Sequence, residues 1–371
     1  MTTRRTPVIL LAAWLSMPLS SFLGLSYAWG DAGDDAYAAL KSRDYPRALQ
    51  SARPAAQRGD LLAQFTMGRI HQEGKGVPQD KAKAATWFKK ALSQAEPAAR
   101  RGEPRAQFVL GQMYQAGWVL PKDHTRAVAW YRKAAEQGNA WGQFSLGQMY
   151  SLGRGVAKDD KEAFAWYRKA AEQGIVGAQH NLGLMYYEGK GVAQNHKEAV
   201  VWYRKAAERG DGAAQFLLGR MYSAGEGITK DYDEAFVWFR KAAEQGVVLA
   251  QTALGTMYDK GQGVAQDVKE AVVWYRKAAE RGEAVAQFNL GIMHVKGQGV
   301  PRDHKEAVAW FRKAAEQGDA RAQAALGSMY EKGWGVAQDD KEAVVWYRKA
   351  ADQGDAAAQE ALARSGGGDR K

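Results

Sequence analysis

From Leu61 to Gly354 the apolar positions fall on two helical registers that return every 36 residues. One cycle, residues 249–284, reads LAQTALGTMYDKGQGVAQD and then VKEAVVWYRKAAERGEA. Ala250, Leu254, Met257 and Tyr258 stand at i, i+4, i+7 and i+8, one arc of a helical wheel, and predict a first helix, helix A. Gly255 falls inside that helix at a cost of about 1 kcal/mol against alanine. Glycine recurs at the same place at 68, 111, 147, 183, 219, 291 and 327. A side chain missing at a fixed position predicts close approach of a partner helix.

Gly261 and Gly263 predict the end of helix A, because a helix C-terminus commonly needs a left-handed backbone, and Val264 is expected to turn under the loop. Asp267 is placed to cap a second helix, helix B, and Glu270 three residues on completes a capping-box pattern. The pair recurs as Asp159 with Glu162, Asn195 with Glu198, Asp231 with Glu234, Asp303 with Glu306 and Asp339 with Glu342, whereas Lys83 and Arg126 hold the glutamate position in the first two cycles. In helix B, Ala271, Trp274 and Ala278 make one stripe and Val272, Tyr275 and Ala279 a second, with Arg276 and Lys277 pointing away from both. Gly282 ends the helix.

Tryptophan marks the period at 130, 166, 202, 238, 274, 310 and 346, and Trp87 lies 43 residues before Trp130, one period plus seven. A fixed period of this size predicts stacked supersecondary units, each burying its apolar face against its neighbours. The indoles are expected to be slotted between successive units, each worth roughly 1.5 to 3 kcal/mol or more of transfer free energy. The fold class is therefore all-α, an α-solenoid of eight 36-residue helix-turn-helix units.

The block AxAQFxLGxMYxxGxGVxxDxxEAxxWYRKAAEQG resembles the Sel1-like repeat, a relative of the tetratricopeptide repeat, over residues 61–354 in eight copies. The resemblance implies right-handed stacking of helix pairs, helix A lining a concave side, and a scaffold or adaptor in place of a catalyst. Residues 29–60 read as an N-terminal capping helix pair, and residues 355–371 as a C-terminal capping helix with a disordered SGGGDRK tail. Three departures stand out. Val119 replaces the second loop glycine beside Trp118, which predicts a different loop shape over 117–121; His71 and His294 replace the helix A tyrosine; and residues 92–101 hold the seven-residue insertion, with Pro97 expected to break or kink helix B.

Composition adds a compartment and a charge asymmetry. Arg4 and Arg5 precede an apolar run from Val8 to Leu25, and Ser26-Tyr27-Ala28 has the small, any, small pattern of a cleavage site, so residues 1–28 read as a secretory signal peptide and the chain as periplasmic or secreted. The competing reading is an uncleaved membrane anchor. The chain has no cysteine, which excludes disulfides, thiolate metal sites and lipidated cysteine. Of the formal net charge of +11, a large share lies in residues 61–140, with 13 Lys and Arg against 6 Asp and Glu. Such an end suits an anionic polysaccharide, an anionic membrane surface or an acidic protein; nucleic acid is disfavoured by export.

Helix A carries a further stripe at its positions 1, 5, 8 and 12, counted from Leu249 in the cycle above, opposite the expected core. Its residues differ between copies, so they are free to encode recognition. Trp141, Asn181, Leu184, Leu217, Arg220, Asn289 and Ile292 combine apolar anchors, amides and a cation suited to a peptide or protein segment. The alternative is that they are tolerated surface residues. Trp118 and Trp334 are loop candidates for the same role or for packing over a neighbouring loop. No HExxH or GxSxG motif occurs, the GxG-like loops lack the context of a dinucleotide site, and the six histidines read as structural, so no catalytic residue, cofactor or metal is assigned. The Arg-Lys pair after each Trp-Tyr reads as a solvated face.

These features predict an exported, non-catalytic scaffold that binds a partner protein or peptide on helix A. Relatives suggest envelope assembly, exopolysaccharide secretion or signalling as settings. The alternatives are an anionic-glycan binder using the basic first repeats and, from another class, a β-lactam or peptidoglycan hydrolase-like enzyme, against which the absent cysteines and nucleophile motif count.

Overall fold

The computed structural model describes residues 32–366, so the expectations for the leader and for the tail beyond Gly366 lie outside the described residues. Nineteen α-helices and no strand are found among the described residues. The chain divides into two compact units, one up to Gln137 and one from Gly138. The first holds α1 (Ala32–Lys41), α2 (Tyr45–Gln57), α3 (Leu61–Glu73), α4 (Lys81–Arg100), α5 (Pro104–Ala116) and α6 (His124–Glu136). The second holds α7 (Ala140–Leu152), α8 (Asp160–Glu172), α9 (Val176–Glu188), α10 (His196–Glu208), α11 (Gly212–Ala224), α12 (Tyr232–Glu244), α13 (Val248–Lys260), α14 (Val268–Ala279), α15 (Ala284–Lys296), α16 (His304–Glu316), α17 (Ala320–Lys332), α18 (Asp340–Ala351) and α19 (Ala356–Gly366). Within each unit, every helix packs on the one before and the one after it, the arrangement of an α-solenoid.

The innermost aromatic of each repeat is the residue after the tryptophan. Tyr131, Tyr203, Tyr275 and Phe311 are at most 2% exposed, and Phe239 4%. Each faces the helix A glycine of its own repeat: a Cβ on Gly255 would lie 2.7 Å from the Tyr275 ring, and one on Gly219 2.8 Å from Phe239. The glycine inside helix A is thus the socket for a helix B ring. A helix A aromatic covers that ring where one is present, as Phe144 covers Tyr167 at 5.9 Å and Phe216 covers Phe239 at 5.7 Å.

The tryptophans sit one layer further out. Trp166, Trp202, Trp238 and Trp310 are buried, while Trp87, Trp130, Trp274 and Trp346 are half-buried. Trp310 packs with Ala271, Tyr275 and Ala278 of the preceding helix B and with Leu290 and Met293 of its own helix A. The indole does lie between successive repeats. Its outer face is closed by the lysine three residues on, in all eight copies, with the ammonium 3.8 to 4.8 Å from the ring centroid. Such a cation–π contact is worth about 0.5 to 1 kcal/mol at an exposed site. The arginine beside it is also used: Arg204 and Arg312 each donate to the hydroxyl of Tyr222 and Tyr330 at 2.7 Å. The lysines and most of the arginines stay exposed, so the Arg-Lys ladder is a solvated face as expected, one that also contacts these rings.

One correction concerns the helix B caps. Asp159, Asp231, Asp267, Asp303 and Asp339 each accept from the second and third helical amides, as a cap should. The reciprocal bond from the glutamate is not needed, because the capping residue's own N–H donates to the end of helix A: Asp159 to Tyr150 O at 3.1 Å, Asp267 to Tyr258 O at 2.9 Å. That bond closes the loop. In two repeats the released glutamate takes the indole, Trp166 Nε1 donating to Glu162 Oε2 at 3.0 Å and Trp238 Nε1 to Glu234 Oε2 at 3.1 Å, whereas Trp310 Nε1 is buried without a partner.

Two sequence departures turn out differently from expectation. The seven-residue insertion lengthens α4 to 20 residues, and Pro97 lies inside that helix without ending it. Only one intrahelical donor is lost there, close to the C-terminus. The loop at Val119 keeps the usual left-handed turn, with φ 54° at Val119 against 66° at Gly263. Trp118 holds it in place by stacking on Phe88 at 4.7 Å and 9°. A β-branched residue in that conformation carries about 1 to 2 kcal/mol of strain. Val119→Gly should therefore raise the unfolding free energy by about 0.5 to 1 kcal/mol after the greater freedom of unfolded glycine is subtracted. Urea denaturation checks this, and an unchanged or lower midpoint counts against the strain.

A ladder of glutamines joins the repeats. The fourth residue of helix A is a buried glutamine whose Nε2 donates to the previous repeat, as Gln215 does to Ala207 O at 3.0 Å and Gln287 to Ala279 O at 3.0 Å. Its Oε1 accepts from the glutamine that ends helix B, Gln245 to Gln215 and Gln317 to Gln287, both at 2.8 Å. Where an arginine stands in that place, at 209 and 281, the guanidinium reaches the carbonyl of Gly174 or Gly246 instead. Gln179 Oε1 and Gln251 Oε1 are then buried without a partner.

Candidate protein-binding face

All seven recognition candidates lie on helices of the second unit, and six of them are half-buried; Arg220 is exposed. Leu184 and Leu217 pack on one cluster with Tyr203, Leu218 and Phe239. Arg220, one turn after Leu217 on α11, acts electrostatically on the hydroxyls of Tyr187 and Tyr203. These three candidates come together. Ile292 belongs to a separate cluster with Phe311 and Leu326, and Trp141 meets Phe144 edge-on at 6.4 Å. Asn181 and Asn289 serve the core, each within hydrogen-bonding reach of a buried tyrosine hydroxyl, Tyr167 and Tyr275. Burial pushes both of those hydroxyls up to about 12.

The face around Leu184 contains residues that the positional stripe misses. Tyr187 donates to Glu226 Oε2 at 3.0 Å, its ring stacks on His196 at 4.9 Å, and the buried Tyr203 hydroxyl has no partner. A signal existed in the repeat comparison, since Tyr187 stands where other copies have Gln72, Gln115, Ser151, Ser223, Asp259, Val295 or Glu331. Nearby, Asp211 caps α11 and meets His180 Nδ1 at 3.2 Å. Burial pushes its carboxyl up, but the bonds from His180 and from the Ala214 amide outweigh this and hold it below the usual carboxylate range.

Of the two loop tryptophans, Trp118 is half-buried and Trp334 stays 37% exposed. Trp118 lies on Phe88, and Trp334 lies 5.0 Å from the His304 ring with Lys332 over it at 4.6 Å. Among the described residues no group of three or more His, Asp or Glu could hold a metal ion, and no helix is long and apolar enough to cross a membrane. What the face offers is adjacent apolar, hydroxyl and charged groups on rigid helices, the elements of a polypeptide contact.

The model of the Sel1 repeat matches residues 61–95, 104–139, 142–175, 176–211, 212–247, 248–283, 284–319 and 320–355, so the chain belongs to the Sel1 repeat family. Proteins of this family are generally protein–protein interaction scaffolds. Among solved structures, the chain is similar to a protective antigen of uropathogenic Escherichia coli that displays this repeat fold, with 38% identity, 88% of this chain and 77% of that one covered, and a TM-score of 0.59. A Sel1 repeat protein from Oxalobacter formigenes is 31% identical over 93% of this chain and 99% of that one, with a TM-score of 0.58. No curated protein matches the chain.

Proposed function

We propose that this protein is an exported, non-catalytic scaffold whose second unit holds a partner polypeptide on the helix A face around Leu184, Leu217 and Arg220. The observation that carries the reading is local. These residues meet beside Tyr187 and Glu226, and the scaffold does not dictate their chemistry: the position of Leu184 holds Gln112, Gln148, Thr256, Ile292 or Ser328 in other copies. Export is supported by the basic start, apolar run and Ala28 site of the leader.

Leu184 and Leu217 also support the core, so charges placed there would disturb the fold. A photocrosslinking residue at Arg220, exposed on the helix A side, avoids that difficulty. In intact cells it should capture one dominant protein, while the same residue at Val273, 44% exposed on helix B, should capture little. Equal capture at both positions, or capture at Val273 alone, sinks the proposed face.

A further inference from the structure

The first unit has a hollow of about 400 Å³ between α1, α2 and α3, lined by Lys41, Arg43, Tyr45, Arg69, Glu73 and Lys75. Four cations there face one carboxylate. Glu73 is already committed to Arg69, which reaches it through Nε at 3.0 Å and Nη2 at 2.5 Å. Asp44, next to Arg43, accepts from the Arg47 amide at 3.2 Å as the cap of α2. The other acids of α1 and its surroundings are paired elsewhere, Asp35 with Arg47, and Asp34 and Asp60 with Arg105.

Lys41, Arg43 and Lys75 have no ion-pair partner among the described residues. Aromatic rings place two of them: Lys41 lies 5.6 Å over Tyr37, and Lys75 5.6 Å over Tyr45. A ring positions an ammonium without neutralising it. The third is held by an unusual backbone, since Arg43 has a φ of 65°, in the left-handed region that disfavours a side chain. Glycine would take this turn freely, so a guanidinium kept there at the rim of a basic hollow points to a use for it.

We propose that this hollow is the seat of a sulfate, phosphate or carboxylate group of an anionic polysaccharide. The basic surplus of residues 61–140, 13 Lys and Arg against 6 Asp and Glu, continues on the same unit and suits a chain of charges more than a single ion. The site is independent of partner docking on the second unit and stands or falls separately from it.

The test uses the full chain and titration calorimetry with a heparin oligosaccharide, a neutral dextran oligosaccharide, and vesicles of phosphatidylglycerol with phosphatidylcholine as separate arms. Heparin should bind, weaken as salt screens the contact, and lose about tenfold in affinity with Arg43→Gly and with Lys75→Gln, the scale of one charge-assisted contact. Lys190→Gln, at the equivalent loop position in the second unit, should leave binding unchanged. Arg43→Gly should melt no lower than the parent because glycine suits the backbone, which separates loss of binding from loss of fold. The proposal is overturned by absence of heparin binding, by an equal loss with Lys190→Gln, by equal binding of dextran, or by binding to the vesicles without binding to heparin.

Discussion

Phe239→Ala is expected to lower the unfolding free energy by about 3 to 5 kcal/mol, the range for removing a large buried aromatic. The ring is 4% exposed, it is the helix B partner of Gly219, and Phe216 closes its other side at 5.7 Å. Gly219→Ala should cost about 1 to 3 kcal/mol for the opposite reason, a methyl 2.8 Å from that ring with no room to settle. The pair is the stricter test. With alanine at 239 the methyl gains space, so the double variant should lose less than the sum of the singles. Additive losses in urea unfolding would show that the ring and the glycine do not share a socket. Trp238→Ala belongs to the same range, since the indole is 8% exposed with Lys241 4.1 Å over its face. A loss under about 1 kcal/mol would contradict the burial argued from the tryptophan period.

Gln215→Leu should cost about 1 to 3 kcal/mol, although leucine fills much of the same space, because it orphans the buried Ala207 carbonyl, which Gln215 reaches at 3.0 Å, and removes the 2.8 Å bond from the exposed Gln245 amide. Gln251→Leu should cost less, because Arg281 stands where Gln245 does and Gln251 Oε1 is already unpartnered. The same logic predicts a gain: Arg281→Gln supplies the missing donor and should stabilise by about 0.5 to 1.5 kcal/mol. Equal losses at 215 and 251, with no gain from Arg281→Gln, would mean the glutamine ladder does not couple the repeats. Neighbour coupling is what holds a solenoid together, so these effects should appear as a loss of cooperativity as well as a shift in midpoint.

Both predictions rest on residues whose spacing is visible in the chain but whose partners are not. The recurring glycine of helix A announces a close approach, yet only packing shows that Tyr275 or Phe239 fills the gap, and not the more conspicuous tryptophan. Gln215 recurs as faithfully as the tryptophans, but a glutamine on a helical wheel reads as polar surface until it is seen 5% exposed against the previous repeat. The recognition stripe was legible as a set of positions free of the scaffold. Its chemistry was not: Asn181 and Asn289 turn toward buried hydroxyls, and Tyr187 and Glu226 enter from positions outside the stripe.

Periodicity alone determined the class of fold, because a 36-residue return of apolar faces, glycines and caps requires helix pairs that bury their faces against neighbouring copies. The tertiary structure decided how bonds are shared between repeats. The Asp231 amide donates to Tyr222 O and so leaves Glu234 for the Trp238 indole, lysines cover the tryptophans, and the turn at Arg43 leaves a cation without an acid. Those outcomes depend on which neighbour reaches a given donor or ring first, a matter of distance in three dimensions that spacing along a chain does not encode.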